Sequence, residues 1–427
     1  MRVYKPSGIK WLGEIPQSWE IKKIKTIFNI GRGRVISQQE LEEMGNYPVY
    51  SSQTKNNGIL GYIQTYDFDC TQITWTTDGV NAGTIFLRSG KHNCTNVCGT
   101  LRPKQDENMS FLSYAIKIAT PHYKRPDTNG AKIMNNEMAN IEIVYPPLQE
   151  QKEIAEFLDK KCEKIQNYID KKQKLITLLQ EKKQALINEV VTKGLNPNIE
   201  FKNSGIAYLG LIPHHWEVAR SGLIYKNISS GTTPQSDNDE YYKNGNIFWI
   251  NSGDLNDSVL TNSKNKITQK AMMAYSALKI SPKGSLIIAM YGATIGKVSI
   301  LGIDACTNQA CCVLCESKYL NTRFVFYYFI AKRQDLISMA YGGGQPNISQ
   351  DIIKNFKIPL PPLQEQKQIA NFLDEKCEKI NSVIEKTKKQ IELIKEYKNT
   401  LINEAVCGRV ACSRDFSPTA QNDKKKN

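Results

Sequence analysis

The heptapeptide PPLQEQK occupies Pro146–Lys152 and returns unchanged at Pro361–Lys367. After the first copy the chain continues EIAEFLDKKCEKIQNYIDKKQKLITLLQEKKQALINEVV. After the second it continues QIANFLDEKCEKINSVIEKTKKQIELIKEYKNTLINEAV, with no gap needed to align them. With Leu158 at position d of a heptad, the d series is Leu158, Ile165, Lys172, Leu179 and Leu186. The a series is Ala155, Cys162, Ile169, Ile176, Lys183 and Val190. Most are apolar at a mean spacing of 3.5 residues, the period of a coiled-coil seam. The second copy keeps the register with Leu373, Ile380, Thr387, Ile394 and Leu401 at d, and Ala370, Cys377, Ile384, Ile391, Lys398 and Ala405 at a. No Pro or Gly interrupts either run, and each Pro-Pro pair stands where a helix tolerates proline. The pattern predicts two helices of about 43 residues, each about 64 Å long at 1.5 Å per residue. The first delivers the chain to a second globular part and the second begins there, so packing one on the other requires antiparallel rods. The seam lysines Lys172, Lys183 and Lys398 are expected to snorkel or to set register.

The repeat extends to the front of each half. KPSGIKWLGEIPQSWEIKKIKTIF from Lys5 matches KNSGIAYLGLIPHHWEVARSGLIY from Lys202. Between these anchors, Asp78–Gly83 lies on Tyr291–Gly296, and Cys94-Thr95-Asn96 falls near Cys306-Thr307-Asn308. Short strand-like runs (Ile73–Thr77, Thr84–Leu87, Ile247–Asn251, Leu286–Met290, Val298–Leu301) alternate with Gly/Asn/Ser-rich turns, and Ser110–Ala119 and Thr322–Ser338 read as helices. The expected fold class is mixed α/β. Two similar α/β domains are separated by a pair of long antiparallel coiled-coil helices, with approximate two-fold symmetry. The boundaries are 1–145 for the first domain, 146–193 for the first helix, 194–360 for the second domain and 361–408 for the second helix. A basic tail, 409–427, is expected to be disordered. Trp19 and Trp216, in the matched IPxxWE, are expected to anchor cores.

Lys plus Arg number 56 against 42 Asp plus Glu, a net charge of +14, which favours an anionic partner such as nucleic acid. The start, MRVYKPSGIK, has no apolar h-region and no apolar run reaches membrane length, so the expectation is a cytoplasmic protein with no membrane association. Eleven cysteines without an export signal point to free thiols. The polar loops supply candidate DNA contacts, because Asn and Gln can bond adenine, Arg and Lys can bond guanine, and glycine-rich turns admit phosphate. In the first half these are Arg32, Arg34, Gln53, Lys55, Asn56, Asn57, Arg125, Asn129 and Lys132. In the second they are Thr232, Thr233, Gln235, Lys264, Lys266, Thr294, Lys297, Gln345 and Asn347.

Catalytic patterns are missing. Both Pro-Pro pairs open helices rather than an adenine-methylase motif. GATIGKV at Gly292–Val298 is one residue short of a P-loop and has Val298 where the magnesium-binding Ser/Thr belongs. Cys306, Cys311, Cys312 and Cys315 have no nearby histidine, and His92, His122, His214 and His215 make no metal pattern. The reading is a chain that positions something without catalysing, and it calls for no cofactor and no metal. A coiled-coil scaffold with protein-binding end domains is the first alternative, and a single-chain methylase or nuclease the second.

The SGIxxLGxIPxxWE openings and the PPLQEQK…IA…FLD…CEKI helix starts, each present twice in order, resemble the DNA-specificity subunit of type I restriction–modification systems. GGGQPNIS and GATIGK in the second half resemble that family too. The resemblance covers about residues 5–410. It implies two target-recognition domains, each reading half of a split asymmetric sequence in double-stranded DNA, with helices that fix the unread spacer. It also implies a non-enzymatic subunit that recruits two modification (methyltransferase) subunits and restriction/translocase subunits. On this view the repeated heptapeptide offers a docking surface at Gln149, Glu150, Gln151, Gln364, Glu365 and Gln366.

Overall fold

A computed structural model of the protein describes residues 2–128, 130–341 and 346–410. Packing divides the chain inside the two long helices. One unit holds the residues up to Lys172 and those from Lys389 onward, and the other holds Gln173–Lys388. Each unit thus contains a globular part, the start of one long helix and the end of the other.

In the first unit an antiparallel sheet has the order Ile85–Arg88, Gln72–Thr76, Cys98–Pro103, Phe28–Arg32. A second four-stranded sheet has the order Ile59–Ile63, Tyr47–Tyr50, Lys91–Cys94, Phe68–Asp69, and its Tyr47–Tyr50 and Lys91–Cys94 strands run parallel. Helix Met109–Ala119 closes the core on one side, capped by Asn108, whose side chain accepts from the Phe111 amide. Glu20–Lys23 pairs with Glu142–Tyr145 and so brings the two ends of the globular part together.

The second unit repeats this plan. Its main sheet has the order Asn227–Ser230, Cys311–Cys315, Leu286–Ala289, Val298–Leu301, Val259–Leu260. Its smaller sheet again contains a parallel pair, Ile247–Ile250 with Cys306–Thr307, and Glu217–Arg220 pairs with Lys357–Leu360. The long pattern expected over Thr322–Ser338 is two helices, Thr322–Ala331 and Arg333–Ser338. They break at Lys332, whose ψ of 20° leaves the helical range.

The long helices span Leu148–Lys193 and Leu363–Val406, 46 and 44 residues. In the first unit Ile154, Ala155, Leu158 and Cys162 share a core with Ile402, Ala405 and Val406. In the second, Ile187, Val190 and Val191 share one with Ile369, Leu373 and Cys377. The start of one helix meets the end of the other in each unit, which makes the packing antiparallel. The seam lysines show how register is held. Lys183 Nζ donates to Asn381 Oδ1 at 2.9 Å in the second unit, and Lys398 Nζ to Gln166 Oε1 at 3.5 Å in the first. These are the same pair of aligned positions used twice. Lys172 instead lies over the Tyr168 ring at 5.3 Å. Ile187, Val191, Ile402 and Val406 are buried although they stand off the a and d series, because the helix ends enter the globular cores and are apolar on a wider face.

Trp19 and Trp216 are fully buried. Each indole donates to the glutamate of the repeated heptapeptide: Trp19 Nε1 to Glu150 at 3.0 Å, and Trp216 Nε1 to Glu365 at 3.2 Å. Glu150 also pairs with Arg2, and Glu365 with His215. Gln151 and Gln366 are both 0% exposed. Their amides donate to the carbonyls of Pro146 and Pro361, and Gln366 Oε1 accepts from the Asn321 amide at 2.7 Å. Five of the six residues expected on a docking surface are engaged within their own unit, since Gln149 Nε2 also donates to Glu153 Oε1 at 2.9 Å. Burial leaves Gln149 and Gln364 as the exposed pair. In both units the heptapeptide seats its helix start against a buried tryptophan.

Candidate nucleic-acid interface

In each unit four connecting segments converge at one end of the sheets, three of them held by equivalent backbone bonds. The glycine turn comes first. Gly79 and Gly83 have φ of 88° and 82°, and Gly292 and Gly296 have 81° and 72°. Gly83 N donates to Thr76 O, and Gly296 N to Ala289 O, both at 2.8 Å. GATIGKV is thus a turn between the antiparallel strands Leu286–Ala289 and Val298–Leu301. A strand rather than a helix follows it, so its geometry, like its sequence, departs from a P-loop.

The return segment docks beside that turn. Ile133 N donates to Thr77 O, and Ile348 N to Met290 O, each at 2.8 Å. This pairing makes Lys132 equivalent to Asn347. The turn after the parallel strand supplies the third segment. Thr95 N bonds Tyr50 O, and Asn308 N bonds Ile250 O. Thr95 therefore corresponds to Asn308, one residue off the Cys-Thr-Asn match. Thr77 N and Met290 N then reach Val97 O and Ala310 O.

The fourth segment follows the first strand of the main sheet, where a glycine touches the neighbouring turn. A Cβ on Gly33 would lie 1.9 Å from Cys94 O, and one on Gly231 would lie 1.7 Å from Thr307 O. Only glycine permits this approach. We predict that Gly231→Ala lowers stability by about 1–3 kcal/mol through backbone displacement. Gly253→Ala, which meets nothing within 4 Å, should change it by less than about 0.5 kcal/mol. Thermal unfolding of the two variants checks this, and equal effects would mean that Gly231 is not under steric constraint.

The side chains differ between the two clusters. In the first, Arg32 Nε donates to Asn135 Oδ1 at 3.1 Å. Arg34 lies between Glu40 at 2.7 Å and Asp67 at 3.2 Å. The Glu40 hydrogen bond leads in holding its guanidinium above the usual value, opposed by desolvation, so its charge is balanced locally. Arg125 pairs with Glu137 at 2.5 Å and Lys132 approaches Asp127 at 3.9 Å. In the second cluster the segment Gly231–Gln235 is pinned by aromatic side chains. Trp249 Nε1 donates to Thr232 O at 3.2 Å, Tyr242 OH to Pro234 O at 2.5 Å, and Tyr275 OH accepts from Gln235 N at 3.1 Å. Thr233 and Gln235 are exposed on this fixed loop, and Thr233 Oγ1 donates to Gln309 Oε1 at 2.6 Å. Thr294 lies within the glycine turn and Lys297 just after it, both half-buried, and Asn347 is exposed.

Gln53, Lys55, Asn56 and Asn57 form a separate loop that closes on Ser51 through the Gly58 carbonyl. Gln53 is tied to the Ile59 carbonyl, while Lys55, Asn56 and Asn57 are exposed. Lys264 and Lys266 are not brought to the cluster. They lie at the far edge of the three-stranded sheet, one strand removed from Cys306–Thr307, and Lys266 covers the Phe248 ring at 4.8 Å. Asn129 and Gln345 lie outside the described residues, as do residues 411–427 of the expected tail. The sequence reading missed Asn135, Gln309 and Gln350. Gln350 Nε2 reaches Ser230 Oγ at 2.8 Å, just as Asn135 reaches Arg32. The four clustered cysteines of the second half enter different cores: Cys312 one, Cys311 and Cys315 another, Cys306 a third. Burial pushes Cys312 up to about 12 and Cys306 up to about 11, both disfavouring the thiolate a metal needs.

A family model described as the type I restriction modification DNA specificity domain matches residues 16–179 and again 213–393. The chain belongs to this family. Among curated relatives, a type I specificity subunit of Mycoplasma pneumoniae is 42% identical over 138 residues, 32% of this chain and 38% of that relative. The chain therefore spans well under half of that relative's length in the matched stretch. The MjaVIII type I specificity subunit of Methanocaldococcus jannaschii is 27% identical over 445 residues, covering 96% of this chain and 97% of its own. Among solved structures, a chain from work on complex assembly and conformational transition of the type I R-M system has a TM-score of 0.71 at 16% identity, over 93% of this chain and 99% of that one. The HsdS subunit of Thermoanaerobacter tengcongensis gives 0.51 at 18% identity, over 93% and 98%. At these identities the structural likeness establishes the fold. Each of the two matches to the family model, 16–179 and 213–393, contains one of the two loop clusters.

Proposed function

We propose that this specificity subunit reads a bipartite, asymmetric sequence in double-stranded DNA, one half with each loop cluster, and that it catalyses nothing itself. One observation carries the reading: the two clusters share a backbone plan but not side chains. Arg32 stands where Ser230 does, Arg34 where Thr232 does, Lys132 where Asn347 does and Asn135 where Gln350 does. One framework carrying two different sets of hydrogen-bonding groups is what reading two unlike half-sites requires. The long helices set the spacer and, with Gln149 and Gln364 exposed at their starts, dock two modification subunits. Restriction/translocase subunits complete the assembly in the cytoplasm. The cofactors belong to those partners.

Among the described residues no helix is long and apolar enough to cross a membrane, and the charge of +14 suits a DNA surface. The test is duplex binding by the purified chain across a salt series. We expect affinity to fall linearly on a log–log plot with a slope of several units. Binding that ignores salt, or modification of DNA by the chain alone, would contradict the proposal and, in the first case, favour a protein-binding scaffold.

A further inference from the structure

Both units enclose a space between their two sheets, but they fill it differently. In the second unit it is an apolar core that includes Ile250, Ile287, Leu301 and Ala305. Strand registers place Tyr50, Thr74, Arg88 and His92 of the first unit at those four positions. The fold therefore does not require an arginine there, since Leu301 occupies the same site.

Arg88 is 3% exposed. Its guanidinium carbon lies 3.6 Å from the Tyr50 ring centre and 4.2 Å from that of Phe86, and Nε donates to Thr74 Oγ1 at 3.3 Å. Both terminal nitrogens are buried without a hydrogen-bond partner, and no ion pair involves Arg88 among the described residues. Gln72, its cross-strand neighbour, has a buried amide oxygen without a partner, while its nitrogen contacts His92 Nε2 at 2.8 Å. Burial pulls the guanidinium down from its usual value, yet arginine remains a cation in proteins. An uncompensated buried cation with open donors costs several kcal/mol unless an anion neutralises it.

The covering segment is the loop Gln53–Gly58. A Cβ on Gly58 would lie 2.8 Å from Arg88 Nη2. Asn56, Asn57 and Gly58 all have positive φ (48°, 52° and 79°), a run of left-handed residues that persists only under constraint.

We propose that Arg88 anchors a phosphate-binding site in the first recognition domain, opened when the Gln53–Gly58 loop lifts from the guanidinium. The planar fork suits bidentate pairing with phosphate oxygens, and the two aromatic rings hold it flat. A guanine edge would also accept the fork but would not neutralise the charge. The phosphate can come from the DNA backbone, in which case the site deepens the DNA reading above, or from free phosphate.

The test compares the full chain with Arg88→Leu, the residue the second unit uses at this place. Titration with inorganic phosphate against chloride at equal ionic strength should raise the melting temperature of the parent by roughly 2–4 °C and leave the variant unmoved. In duplex DNA binding, loss of one phosphate contact should reduce the salt slope by about 0.9, about 3.5-fold less weakening between 50 and 200 mM salt, uniformly across sequences. Either response lost in the variant supports the site and identifies the source. No difference in either assay overturns it, and so does a loss confined to one base position. If the leucine variant does not melt cooperatively, Arg88→Lys replaces it: it keeps the charge but loses the fork, and a lysine variant equal to the parent in both assays overturns the bidentate site. A parent that shows no salt-dependent DNA binding sinks the DNA reading while leaving the phosphate titration decisive.

Discussion

Exchanging residues 20–145 for the corresponding segment of another family member is expected to change one half of the target sequence and leave the other half intact. The exchange points suit the fold. Glu20 and Tyr145 are direct partners in the two-stranded sheet that closes the first globular part, so a new segment enters and leaves at adjacent positions. The anchoring groups Trp19, Glu150 and Gln151 lie outside it and keep their bonds. All four loops of the first cluster lie inside it, and none of the second. Methylome sequencing of cells carrying the exchanged chain with the proposed modification subunits reads the outcome. A change in both halves, or in neither, would contradict modular reading.

The second large effect concerns the spacer. Adding one heptad to each long helix, beyond Lys172 in the first and beyond Lys388 in the second, keeps the apolar seam in phase. Seven residues add about 10.5 Å at 1.5 Å per residue, roughly three base pairs at 3.4 Å each. The unread gap should lengthen by about that amount while both half-sites stay the same. The duplicated bonds Lys183–Asn381 and Lys398–Gln166 lie on either side of the insertions and remain intact within their own units. An unchanged gap would mean that the helices do not act as the ruler.

Much of this was legible before any coordinates. A seam spaced at 3.5 residues and a gapless repeat fix two long helices, and two of the three lysines within it, Lys183 and Lys398, bond across to the other helix. The Gly79–Gly83 and Gly292–Gly296 turn was visible as an alignment because glycine at positive φ cannot be replaced cheaply. The sidedness of the heptapeptide was not. Amphipathic period tells which face of a helix is apolar, but Gln151 and Gln366 are polar and buried, held by proline carbonyls and, for Gln366, by a backbone amide distant in sequence. The strands of the smaller sheets are as short as two residues, too brief for alternation to declare a face. The exact equivalence of Thr95 with Asn308, and of Lys132 with Asn347, needed hydrogen bonds. Arg88 was invisible because a lone arginine at a strand end reads as solvated. Its significance appears only when Leu301 is found at the same place in the other unit.

The most direct test of the central claim is selection of bound duplexes from a random DNA library by the purified chain, alone or with co-purifying partners, followed by sequencing. The account predicts two short, unlike sequence blocks separated by an unread gap of constant length. A single continuous block, two identical blocks, or no enriched sequence would contradict it.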